Sequence, residues 1–213
     1  MKLANDEAQS LRYPDVRQAR EASVWESHVG VLNSFVHQIR QQRAAGKKVP
    51  YFDPADGGLN ARCLFLLEAP GPKAVESGFV SRNNPDPTAS NFFQLNKRAG
   101  LPREDTVTWN VIPWYIGSGS KIRPATAADI KSAEPYLARL LTLLPRLSVI
   151  VLIGRKAQRA RPLVSDIATS PAILEMPHPG PRVFNTSPDA RRAMLQTLRK
   201  AARLARTRGE ADA

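Results

Sequence analysis

The sequence predicts an α/β protein: a single-domain, three-layer α/β/α fold around a central, mostly parallel four-stranded sheet. Three observations predict it. The short unbroken apolar runs "CLFLL" (63–67) and "SVIVLIG" (148–154) have the composition of strands buried on both faces. Stretches of helical periodicity alternate with such runs along the chain. The chain has 213 residues, 42% of them hydrophobic, which suits one domain with a sizeable core.

The elements follow in order. Residues 1–20 are polar and read as a loose lead-in to a domain over residues 21–206, with a tail at 207–213. Residues 22–43 carry Val24, His28, Val31, Leu32, Phe35 and Ile39 at helical spacing. "KKVPYFDPADGGLN" (47–60) is dense in Pro, Gly and Asp and reads as a loop. "CLFLL" is the first strand, ended by "EAPGP" (68–72). "NNPDPTAS" (83–90) is a second loop, with Ser90 or a neighbour capping a helix through "NFFQLNKRAG" (91–100). "VTWNVIPWY" (107–115) begins as a strand and breaks at Pro113. Residues 126–145 place Ile130, Ala133, Leu137, Leu140, Leu141 and Leu144 on one helical face. "SVIVLIG" is the clearest strand, and Gly154 opens a helix with "RKAQRA" (155–160). "AILEM" (172–176) is the fourth strand, and residues 189–206 form the last helix.

Composition narrows the function. No apolar run approaches the roughly 18 residues of a membrane span, and "MKLANDEAQSLRYPD" lacks an apolar signal core. The expectation is an intracellular, cytoplasmic protein with no membrane partner, associated with the nucleoid when on DNA. Cys63 is the only cysteine, which excludes an internal disulfide and any multi-cysteine zinc or iron–sulfur site. There are 31 Lys+Arg against 19 Asp+Glu, a net charge of +12. That balance favours a polyanionic partner, nucleic acid foremost. Part of it lies in the C-terminal helix and tail (Arg191, Arg192, Arg199, Lys200, Arg203, Arg206, Arg208), but Arg155, Lys156, Arg159, Arg161 and Arg182 lie within the body.

Three unusual segments fall at the carboxyl ends of the expected strands, where α/β sheets gather their functional loops. They are "EAPGP", Asn110 and "MPHPGPRVFN" (176–185). The last sets His178 between two prolines and follows with Gly180, Pro181 and Arg182, a stiff loop that is either a rigid corner or a presented pair of side chains.

At these segments the sequence resembles the uracil-DNA glycosylase superfamily. "LLEAPGP" (66–72) looks like the first motif in its thermophile-type form, "TWNVIPW" (108–114) like the strand bearing the pyrimidine-reading asparagine, and "HPGPRVFN" (178–185) like the histidine loop. "VLIGRKAQ" (151–158) matches the segment that precedes that loop, and the arginine after the second proline is similar to the single-strand-selective branch. The likeness runs from about Cys63 to Arg199. It implies a monofunctional, monomeric glycosylase of base excision repair, needing no metal or cofactor, that flips uracil of single- or double-stranded DNA into a pocket.

The resemblance implies roles residue by residue. His178 donates to the departing uracil anion. Asn110 reads the base edge, accepting from N3–H and donating to O4. Glu68, Ala69, Pro70 and Gly71 line the pocket, with Glu68 the nearest carboxylate to the chemistry. Phe79 stacks on the flipped ring, with Phe92 and Phe93 as competitors. Arg182 occupies the wedge position beside Gly180 and Pro181. Thr88 and Ser90 grip a phosphate, Ser90 having the alternative role of helix cap, and Lys121 in "GSGSK" (117–121) touches the DNA backbone.

The sequence also departs from the family. The branch with "EAPG" usually carries four cluster-binding cysteines, and this chain has Cys63 alone. The water-handling aspartate of the best-known branch is replaced by Ala69, leaving Glu68, Asn83 or Asn84 to position water, or no strong base at all. The bulky residue that screens out thymine is replaced by Gly71. Two alternatives therefore stand: a protein that binds uracil or abasic DNA without cutting it, and a glycosylase for another deaminated base such as hypoxanthine or xanthine.

Overall fold

A computed structural model describes residues 6–43, 48–119 and 121–211. Residues 1–5 of the expected lead-in, Lys47, Ser120, the side chain of Arg208 and residues 212–213 lie outside it.

The chain alternates helices and strands. In order they are α1 (Pro14–Ala22), α2 (Gly30–Gln42), β1 (Tyr51–Phe52), β2 (Cys63–Leu67), α3 (Pro72–Ser77), β3 (Phe79–Val80), α4 (Pro87–Ala99), β4 (Thr106–Asn110), α5 (Ala127–Thr142), β5 (Val149–Ile153), α6 (Gly154–Gln158), α7 (Arg161–Ile167), β6 (Ala172–Met176), α8 (Pro181–Thr186) and α9 (Pro188–Ala211). The main sheet has four parallel strands in the order β4-β2-β5-β6, and β1 pairs with β3 in a short parallel ribbon. Register aligns Leu67 with Asn110 and Ile153 with Met176, so the strands end along one edge. The three segments singled out in the sequence leave the sheet there.

β2 and β5 are buried on both sides, which is why they read as unbroken apolar runs. Leu64, Leu66, Ile150 and Leu152 face one core, packed with residues of α2, α5 and α7. Cys63, Phe65, Val149, Val151 and Ile153 face the other, packed with α4 and α9. The sheet is thus the middle of three layers.

Local differences have physical causes. The periodicity over 22–43 holds as a helix only from Gly30. Val24 instead joins a separate cluster with Leu11, Val16 and Phe79. Residues 10–20 are folded rather than loose, with Leu11 buried and Arg20 1% exposed. The cap of α4 is Asp86, whose side chain accepts from the Ala89 N–H at 2.9 Å, so Ser90 sits inside the first turn. α9 runs through the expected start of the tail to Ala211.

The N-terminal segment is held by buried charge. The Asp53 carboxylate accepts from Arg20 and from the Ser81 hydroxyl, and from Arg103 Nη2 at 2.7 Å. Arg103 Nε also donates to Asp56 at 2.9 Å. Burial alone pushes the Asp53 pKa up, but the Arg103 and Arg20 guanidiniums and the Ser81 hydrogen bond outweigh it and hold the carboxyl well below the usual range.

Candidate active site

A cavity of about 470 Å³ opens at the carboxyl edge of the sheet. Glu68, Ala69, Pro70 and Gly71 line it together with Thr108, Asn110, His178 and Pro181. Val80, Arg82, Asp86, Thr88 and Phe92 also line it. The structure therefore brings together most of the residues expected from the sequence.

His178 is seated by glycine on two sides. Gly154, at φ 83°, ends β5 in a backbone conformation that L side chains rarely adopt, and a Cβ there would lie 3.0 Å from the His178 Cβ. A Cβ on Gly180 would come within 2.9 Å of His178 Nδ1. The loop is tied to its neighbours by Asn91 Nδ2, which donates to the Pro179 carbonyl at 2.9 Å, and by Gln158 Nε2, which donates to that of Met176 at 3.1 Å. Gly154→Ala is expected to cost about 1–3 kcal/mol through backbone strain and to displace His178. Thermal melting checks the first, and the pH titration of the His178 ring by NMR checks the second.

The backbone N–H of Gly180 donates to His178 Nδ1 at 3.1 Å. An accepting Nδ1 leaves the proton of the neutral ring on Nε2, making that atom the donor. Partial removal of water from around the ring disfavours its charged form and pushes the His178 pKa down, with Glu68 and Asp86 pulling the other way. The residue nonetheless stays open to solvent at the cavity mouth.

Asn110 closes β4 and is 3% exposed, and its Nδ2 has no partner among the described residues. Thr106, Thr108 and Asn110 alternate to the same face of β4, giving this edge strand a polar side where the central strands have none. Glu68 is oriented by the Ala125 N–H, which donates to Oε1 at 2.6 Å, and Lys156 Nζ holds the Ala125 carbonyl at 3.0 Å. A Cβ on Gly71 would meet nothing within 4 Å, so the wall is open there.

Several expected residues lie away from the cavity or have their polar groups engaged elsewhere. Phe79 is 1% exposed and packs with Leu11, Val16 and Val24, away from the cavity; Phe92 lines it instead, and Phe93 does not. Asn83 bonds to the Glu7 carbonyl at 2.6 Å and lies off the cavity. Asn84 lines it, but its Nδ2 donates to the Phe79 carbonyl at 3.0 Å and its Oδ1 accepts from Ser77 at 2.6 Å, so both ends are used. Ser90 is also off the cavity wall. Lys121 and Arg182 are exposed beside the lining residues Ile122 and Pro181, at the rim. Arg82, Asp86 and Thr108 are among the lining residues that sequence reasoning missed. The β4 alternation pointed to Thr108, while nothing in sequence spacing marked Arg82.

Among the described residues, no group of three His, Cys, Asp or Glu side chains is placed to hold a metal ion, and no helix is long and apolar enough to cross a membrane.

Residues 54–201 match the family model described as the uracil DNA glycosylase superfamily. SMUG2 of Pedobacter heparinus superposes with a TM-score of 0.53 at 11% identity, over 85% of this chain and 99% of that one. A solution structure of a Methanosarcina acetivorans protein assigned as a uracil DNA glycosylase gives 0.47 at 18% identity, over 67% and 91%. No curated protein matches the chain. The match spans every strand of the four-stranded sheet and all the loops that build the cavity, and on that ground the chain belongs to the uracil DNA glycosylase superfamily.

Proposed function

We propose that the protein is a monofunctional uracil-DNA glycosylase. One observation carries the reading: Asn110, whose buried Nδ2 has no partner among the described residues, lines the same cavity as His178. A flipped uracil offers O4 to that Nδ2 and N3–H to the Asn110 carbonyl oxygen. Cytosine presents the reverse pattern, and a site built for one pattern rejects the other by about 10⁴-fold.

The chemistry follows from the charges. As the C1′–N1 bond breaks, its electron pair leaves with the base and spreads onto O2. The Nε2–H of neutral His178 donates to that oxygen, and because the loop is already held, the donor needs no reorganisation. The sugar becomes an oxocarbenium ion. Glu68 and Asp86, the carboxylates whose influence reaches His178, favour that positive charge and hold the water that adds to C1′. The water's proton passes to solvent, and the base anion is reprotonated from it. Phe92 supplies an apolar surface to the base, and Thr88, with Lys121 and Arg182 at the rim, serves phosphate and wedge contacts.

A second reading, excision of a larger deaminated base, is favoured by the open wall at Gly71. End-labelled oligonucleotides carrying uracil, hypoxanthine or xanthine, incubated with EDTA and then alkali, separate the two. Cleavage at uracil foremost is expected. Binding of the uracil strand without cleavage would convert the protein into a lesion sensor.

A further inference from the structure

Three side chains that line the cavity each bury a polar atom with no partner among the described residues: Arg82 Nε, Thr108 Oγ1 and Asn110 Nδ2. Their exposures are 4%, 4% and 3%. Buried polar atoms are nearly always satisfied, so three around one cavity mark where a ligand's acceptors belong. Asn110 is accounted for by base reading, but Arg82 and Thr108 are not.

The strand sets their arrangement. Successive residues on one face of β4 stand about 6.7 Å apart. The Arg82 Nη2 donates to Thr106 Oγ1, which pins the guanidinium at the lowest rung, with Thr108 next and Asn110 at the top. Arg82 Nε and Asn110 Nδ2 can only donate. The carboxylate nearest Arg82 is Asp56, whose Oδ1 lies 3.8 Å from Nη2 and accepts from Arg103 at 2.9 Å, while its Oδ2 has no partner among the described residues. Asp53, the other buried carboxylate of the cluster, is shared by Arg20 and Arg103. Among the described residues no carboxylate comes within hydrogen-bond distance of Arg82, and the residue lines the cavity. Burial pushes its pKa down despite Asp56, in keeping with a cation short of partners.

We propose that Arg82, with Thr108 between it and Asn110, supplies a cationic floor beneath the base that stabilises the negative charge the base carries on leaving. This deepens the base-excision reading and rests on it for the identity of the base. His178 then meets the charge from one wall and Arg82 from below, which lessens the need for a strong base opposite the sugar.

The test uses the full chain as wild type, Thr108→Val, Arg82→Lys and Arg82→Met, each checked for folding by near-ultraviolet circular dichroism. Calorimetric titration at neutral pH compares 5-nitrouracil, an anion there, with neutral uracil. The wild type is expected to prefer the anion. Thr108→Val and Arg82→Met should reduce that preference about tenfold, the loss of one charge-assisted hydrogen bond, and Arg82→Lys should retain part of it. In single-turnover excision, the same variants should slow uracil release more than release of 5-fluorouracil, whose anion needs less help. If Arg82→Met does not fold, Thr108→Val and Arg82→Lys carry the comparison. An anion preference unchanged in folded variants, or absent in the wild type, would overturn the proposal. An Arg82-dependent anion preference in a wild type that excises nothing would leave this site standing and remove the excision reading instead.

Discussion

Replacing His178 by alanine is expected to slow base release by about 10²–10³-fold, the usual effect of removing one preorganised donor to a developing anion. DNA affinity should change little, because His178 holds no fixed charge at neutral pH and the cations of the mouth remain. Single-turnover excision and fluorescence anisotropy measure the two separately. Comparable losses in both would make His178 a binding residue. The pH profile adds an independent check. With its pKa below the ordinary histidine value of about 6.5, His178 stays neutral through pH 7, so the rate should hold there and fall only in acid. Protonation would fill Nδ1 and break the hydrogen bond from Gly180 that orients the ring. A fall in rate beginning above pH 7 would contradict this assignment.

Asp53→Asn is expected to have the largest effect on stability, about 3–5 kcal/mol, because it leaves Arg20 and Arg103 buried against a neutral amide. For a chain of this size that lowers Tm by about 10 °C, read by thermal unfolding. The pH dependence has a definite sign. The folded pKa of Asp53 is depressed, so its contribution is complete above the unfolded carboxylate value of about 4 and is lost as pH falls through the folded value. Asp56 works the other way: burial raises its pKa despite Arg103 and Arg82, so protonation relieves a cost. The difference between wild type and Asp53→Asn isolates the first residue. It should be largest at neutral pH and shrink in acid, and a constant difference would show that Asp53 acts through packing rather than charge.

Much of this architecture is legible in the sequence, and the reasons are specific. β2 and β5 lie in the middle of the sheet, where both faces demand apolar side chains. α1 was missed because its nine residues, "PDVRQAREA", turn only Val16 and Arg20 inward. Arg20 is buried by Asp53, a partner 33 residues away that no local pattern reveals. The site behaves likewise. Glu68, Asn110 and His178 end strands or follow them directly, so their positions travel with the sheet. Phe79 misses the cavity through a parity of one. In β3 adjacent residues point to opposite sides, and it is Val80 that reaches the cavity. Arg82 was unreadable because its role depends on a buried network joining residues 20, 53, 56, 82 and 103.

The most direct test of the central claim is chromatographic detection of the free base released from a uracil-containing oligonucleotide, with EDTA present, by wild type and by Asn110→Ala. The account predicts uracil release in step with abasic-site formation by the wild type and a loss of at least about 10²-fold in the variant, which lacks the side chain that reads the base. Equal release by both proteins, or none by the wild type on any strand bearing uracil, would contradict it.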